Sequence, residues 1–325
     1  MKKHFKKLLL MALMAVMAVG LIACGTDRSD NESTKEEKTS VTITSLNSSK
    51  YEIELEVPYN PKRIAILDLA SLDIIDELGV GDRVVGMAST SIDYLEKYSN
   101  DSSIKNLGTI KEADLEAVME CEPDIIFIGG RLSKSYDALS EIAPVVYLAT
   151  DTNEGLVNSV SKNAKTIASI FGMEDKVNSL MSDFGARIDA IKKISSGKTA
   201  LVGMTTSGSF NLLGNDGRCS LIGVEAGFNN LTAAGSTSTH GNESSFETVV
   251  QQNPDYIFVM DRDSAISTAG AKTAKEIVEN ELVKTTDAYK NNHIIYLEHS
   301  NVWYTAEGGI QALDIMLTDL EKGLK

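Results

Sequence analysis

The segment PDIIFIGGR at residues 123–131 is written a second time as PDYIFVMDR at residues 254–262. The match reaches back to Glu116 and Glu247 and to Val118 and Val249. Glu, Val, Pro, Asp, Ile, Phe and Arg thus recur over sixteen positions at a constant offset of 131. Each copy reads as an amphipathic helix stopped before a proline, then a short apolar strand, then an arginine at the strand's carboxyl end. A strand apolar on both faces must be covered on both faces. A chain that repeats helix and strand in this way is therefore directed to an α/β fold with mostly parallel sheets.

The surrounding sequence supplies the remaining units. VTITSLNSSKYEIELEVP alternates around residues 47–49 and predicts a β-hairpin. KRIAIL, RVVGMA and VVYLA read as further strands. SLDIIDELGV reads as a helix capped by Ser71 and stopped at Gly79. The pattern restarts at TALVGM and closes with the strand HIIYLE and the helix GGIQALDIMLTDLEKGL. Residues 154–196 contain no proline and have helical apolar spacing. The expected organisation is a leading hairpin and first lobe at 41–153, a helical linker at 154–196 and a second lobe at 197–325. The lobes are Rossmann-like, with a ligand cleft between them.

The first 23 residues have a lysine-rich opening, an apolar run and small residues before Cys24, the order of a secretion signal. LIAC resembles a lipobox, in which Cys24 is lipidated; an ordinary signal or an uncleaved anchor is the alternative. Residues 24–40 are polar enough to form a solvated tether. About 285 residues then remain, which suits two lobes better than one. The net charge is −15, and removal of the four signal lysines takes it to −19. Such a surface argues against nucleic-acid binding and against electrostatic adhesion to anionic lipid. Cys121 and Cys219 have no metal-type spacing and read as buried apolar residues.

Ligands of parallel sheets bind beyond the carboxyl ends of the strands, where Arg131 and Arg262 stand. If the lobes face each other, both arginines enter the cleft. A surface arginine in a weak ion pair is the ordinary alternative for either one alone.

NPKRIAIL, LGVGDRVVG, EPDIIFIGGR, EIAPVVYL, NPDYIFVMDR and VWYTAEGG together resemble the class III (cluster A-II) substrate-binding lipoproteins of iron–siderophore ABC importers. The likeness covers about residues 50–325 and is closest to the catecholate, petrobactin-type binders. It implies a monomeric, non-enzymatic, lipid-anchored protein on the outer face of the cell membrane. Such a protein has no resident cofactor and delivers its cargo to a permease and ATPase. It implies Arg131, Arg218 and Arg262 as ligand-binding residues. His240 and Tyr304 would be added, reaching iron only when a tetradentate chelate leaves two coordination sites open. Trp303, beside Tyr304, is either a ligand contact or core. Glu116 and Glu225 match the permease-docking carboxylates, with an ordinary exposed glutamate as the alternative for each.

Guanidinium suits a flat polyanion because it stays charged, donates in a planar fork and stacks on rings. Three charge-assisted contacts give roughly 5–9 kcal/mol, against an association cost of about 4–15 kcal/mol, so apolar contacts must supply the surplus. TAEGG departs from the family's glycine run and places Glu307 near the site. There it either repels an anion or holds an arginine. The alternatives are the same fold carrying haem, cobalamin or a hydroxamate siderophore, a metal-ion-binding lipoprotein, and a surface hydrolase. His293 and His299 flank one strand at opposite ends and cannot share a metal. No nucleophile-elbow, zincin or phosphate-loop motif is present.

Overall fold

The computed structural model describes residues 38–234 and 237–325. The signal segment, Cys24 and the tether up to residue 37 lie outside the described residues. Residues 38–40, expected as tether, already belong to the fold: strand β1 opens at Ser40, and the Lys38 ammonium lies 4.5 Å from the centre of the Tyr59 ring.

β1 (Ser40–Leu46) and β2 (Glu52–Pro58) form the expected antiparallel hairpin. The first lobe is a wholly parallel sheet. Its strands are β3 (Ile64–Leu67), β4 (Val84–Met87), β5 (Lys105–Asn106), β6 (Ile125–Ile128) and β7 (Val145–Tyr147), in the order β5-β4-β3-β6-β7. The second sheet comprises β8 (Thr199–Thr206), β9 (Ser209–Leu212), β10 (Asn229–Asn230), β11 (Asn242–Glu243), β12 (Tyr256–Asp261) and β13 (Ile294–Tyr296). Its order is β11-β9-β8-β12-β13, with β10 also on β8. This sheet is mixed: β9 runs antiparallel to both its neighbours, β8 and β11, because TTSGSF returns in a tight hairpin where a helix would be needed to keep the direction.

The duplicated phrase occupies equivalent places. The helices Leu115–Glu120 and Phe246–Gln252 precede β6 and β12, and each strand is next to the edge of its sheet. Alternate residues of β6 and β12 face opposite layers. Ile125 and Phe127 pack with Tyr256, Phe258 and Met260 in one core shared by both lobes. Ile126 and Ile128, and likewise Ile257 and Val259, fill separate outer layers. The repeated aspartate aligns neighbouring strands. Asp124 accepts from the Lys62 and Arg63 amides at 2.7 and 2.9 Å, and Asp255 from the Thr199 amide and hydroxyl at 2.8 and 2.9 Å.

The linker is three helices, Leu156–Phe171, Glu174–Leu180 and Phe184–Ser195. The last helix of the chain, Ile310–Gly323, packs on the third of these and on the first-lobe helix Leu69–Glu77. That first-lobe helix is capped not by Ser71 but by Asp68, whose carboxylate accepts from the Ser71 amide and hydroxyl, both at 2.9 Å. Its buried Asp73 reaches across to the second lobe and accepts from the Ile310, Gln311 and Ala312 amides at 2.8, 2.9 and 2.9 Å. It takes the Tyr94 hydroxyl at 2.7 Å as well. Gly309 is required beside this cap, because a Cβ would collide with the Asp73 carboxylate. Residues 38–325 consequently form one compact unit.

Candidate functional site

Three arginines meet on one tyrosine. Arg131 lies in the 3-10 turn Gly130–Ser135 after β6, and Arg262 opens the helix Arg262–Ala265 after β12. Arg218 precedes the helix Ser220–Gly223, and Tyr304 lies on the helix Ser300–Thr305 that follows β13. Arg131 Nη2 donates to the Tyr304 carbonyl at 3.0 Å and Arg218 Nε to the same oxygen at 3.3 Å, while Arg262 Nε donates to the Tyr304 hydroxyl at 3.1 Å. The guanidinium carbons stand 5.7, 4.4 and 5.6 Å from the ring centre, within cation–π range.

Two of the guanidiniums are also held from behind. Arg262 touches Thr206 Oγ1 at 3.2 Å and Asp263 at 3.4 Å, and Arg218 Nη1 donates to the Thr239 carbonyl at 2.8 Å. The Arg218 contact ties the His240 loop to the arginine cluster. Gly129 accounts for the glycine pair before Arg131: a Cβ there would collide with Asp68, whose carboxylate attracts Arg131 electrostatically. The cavity beside Arg131, Arg218 and Tyr304 has a volume of about 320 Å³. It is walled by both lobes, with Asp68, Thr239 and Glu307 in its lining.

The charges are tuned locally. Burial would push the Tyr304 phenol up. The hydrogen bond from Arg262 and the nearby charges of Arg218, Arg262 and Lys111 outweigh it, and the group titrates below the ordinary tyrosine value. His240 is exposed. Partial desolvation, then Arg262, Arg218 and Lys111, hold its imidazole below the usual histidine value, which favours the neutral, ligating form. Glu307 is raised by burial, opposed by Arg218, the Cys219 amide and Arg131. Its carboxylate therefore lies among the arginines and braces the backbone next to Arg218.

The expected residues separate into two groups. Arg131, Arg218, Arg262 and Tyr304 converge, with the exposed His240 following the cleft-lining Thr239. Trp303 does not join them as a ligand contact. It is 0% exposed, and its indole Nε1 donates to Asp319 at 3.0 Å, because neighbouring helical residues point in different directions, and Tyr304 faces the cleft while Trp303 does not. Glu116 is exposed. Glu225 is not turned outward as docking would need: Oε1 accepts from the Val157 amide at 3.1 Å, and Oε2 is buried with no hydrogen-bond partner among the described residues. Lys111 and Asp68 were not anticipated. Asp68 directly follows β3 and was accessible to the same strand-end rule that marked the arginines. Nothing in the loop sequence marks Lys111.

Residues 64–300 match the model of a family described as periplasmic binding protein. The petrobactin-binding protein YclQ of Bacillus subtilis is 35% identical over 98% of this chain and 99% of its own. Its crystal structure superposes with a TM-score of 0.80 over 88% of this chain and 99% of that one. The crystal structure of the periplasmic catecholate-siderophore binding protein VctP from Vibrio cholerae is 30% identical. It covers 87% of this chain and 100% of its own with a TM-score of 0.78. The probable siderophore-binding lipoprotein YfiY of Bacillus subtilis is 28% identical over 99% of this chain and 98% of its own. With the family model spanning most of the folded part, and YclQ matching end to end, this chain belongs to the periplasmic binding protein family.

Proposed function

We propose that this protein captures a ferric siderophore of the catecholate class and hands it to an ABC importer. The observation that carries this reading is the convergence of three guanidiniums, drawn from both lobes, on the single tyrosine at the cleft. A cluster of fixed positive groups in a chain of net charge −15 is costly to assemble without an anionic occupant, and a flat, oxygen-rich chelate matches its planar donors. The relatives named for petrobactin and catecholate siderophores favour the same cargo.

The Tyr304 phenol and the His240 imidazole are both tuned toward metal-ligating forms. We assign them to the open coordination sites of a tetradentate ferric chelate and to outer hydrogen bonding with a hexadentate one. Anchorage through Cys24 on the outer face of the membrane, monomeric action and the absence of catalysis belong to this same reading. Glu116 is the carboxylate available to dock on a permease.

Titration with ferric petrobactin, followed by quenching of Trp303 fluorescence, is expected to give a sub-micromolar dissociation constant, with no saturable response to Fe³⁺ held by a weak chelator. Tight binding of haem, cobalamin or a ferric hydroxamate in place of the catecholate would overturn the cargo assignment.

A further inference from the structure

The β1–β2 hairpin belongs to neither sheet, yet it is fastened to the first lobe beside the cleft. Ser45 is buried and receives the Tyr147 amide on its Oγ at 2.9 Å, and Glu52 faces Lys162 of the linker at 3.5 Å. The turn is shaped by Asn47, whose side-chain oxygen accepts from the Ser49 and Tyr51 amides at 3.0 and 3.1 Å. The chain then passes through Lys50 at φ 65, a left-handed conformation that a long side chain adopts only at some cost.

Lys50 lines the same cavity as Arg131 and Arg218. It also lines an adjoining cavity of about 380 Å³ whose walls include Thr44, Ser159 and Asn163. Lys50 and Lys162, which both line this second cavity, differ in their surroundings. Lys162 is matched by Glu52 at 3.5 Å and Glu154 at 3.6 Å, whereas Lys50 has no ion-pair partner among the described residues. An exposed, unpaired ammonium at the rim of a site built from guanidiniums extends the positive surface toward the hairpin.

We propose that the hairpin tip is a third wall of the binding cleft and that Lys50 is a specificity-determining residue. It receives an anionic oxygen, carboxylate or ionised catechol, on the part of the chelate remote from the arginine cluster. The cavity behind it, whose walls set the hydroxyls and amide of Thr44, Ser159 and Asn163 beside the carboxylates of Glu52, Asp151 and Glu154, accommodates the chelate's polar linker. This inference rests on the ferric-catecholate reading above.

The test compares two probes, ferric petrobactin and the small ferric complex of 3,4-dihydroxybenzoate, on wild type, Lys50→Gln and Lys50→Gly. Glycine removes the amine while accepting the left-handed backbone without strain, so it separates loss of charge from disturbance of the turn. Both variants are expected to weaken ferric petrobactin by about 3- to 10-fold, the range of a partly exposed charged contact, and to leave the small complex unchanged. Equal weakening of both probes, or of neither, overturns the proposal. Failure of wild type to bind either probe, with the arginine variants equally silent, rejects the ferric-catecholate reading itself and this inference with it.

Discussion

Arg131 Nη2 donates to the main-chain carbonyl of Tyr304 at 3.0 Å, across 173 residues of sequence and from one lobe to the other. A carbonyl cannot be removed by side-chain substitution, so this arginine stays oriented whatever occupies position 304. Tyr304 therefore organises the site in two separable ways, through its backbone for Arg131 and Arg218 and through its phenol for Arg262.

Replacing Arg131 and Arg262 together with Ala is expected to weaken ferric petrobactin at least tenfold, since each charge-assisted contact is worth about 1.5–3 kcal/mol. Fluorescence titration measures it, and unchanged affinity would reject the cleft assignment. The loss should shrink at high salt, because the contacts are ionic.

Tyr304→Phe removes one hydrogen bond and keeps the ring over which the guanidiniums lie. Folding should be preserved, and with a tetradentate ferric chelate the charge-transfer absorption band should move; a stationary band means that the phenol does not ligate iron. In the ligand-free protein, Arg262→Gln should raise the Tyr304 titration seen by ultraviolet difference spectroscopy, because it deletes the bond that most lowers it.

Glu307→Gln keeps an acceptor for the Cys219 amide while removing a negative charge from among Arg218 and Arg131. Affinity for an anionic ferric catecholate should rise about threefold or more at pH 7.5. Weaker binding would show that the carboxylate contributes more by bracing Arg218 than it costs by repulsion.

Asp73 carries the contact between the first-lobe helix and the start of the last helix. Burial pushes its carboxyl up to about 6 despite four hydrogen bonds, so the folded state holds the proton more tightly than the unfolded chain, whose value is near 3.8. The stability linked to that proton is fully present below pH about 4 and is lost as pH rises through about 6. Urea melts of wild type and Asp73→Asn should therefore diverge in the variant's favour over that window, by on the order of 1–3 kcal/mol, and run parallel outside it. Asp73→Ala, which strands three amides, should be less stable at every pH.

The repeated phrase, the alternation of buried strands with helices, and the placing of Arg131 and Arg262 at strand ends were all legible in the chain itself. Each reports local burial, and local burial follows from periodicity. The same reasoning could have marked Asp68, one residue past β3. It could not orient Trp303, which lies beside Tyr304 but turns to Asp319. Nor could it show that Glu225 faces the linker helix or that Asp73 caps a helix 237 residues away. Those outcomes depend on which elements pack together, and a buried carboxylate or indole goes to whichever polar partner the packing brings within hydrogen-bond reach. The amino-acid order determined the two sheets and their charged strand ends. Only the tertiary structure shows how three like charges meet on one tyrosine: their mutual repulsion is offset where the carbonyl, phenol and ring face of Tyr304 and the carboxylates of Asp68, Asp263 and Glu307 are brought together by the packing of both lobes.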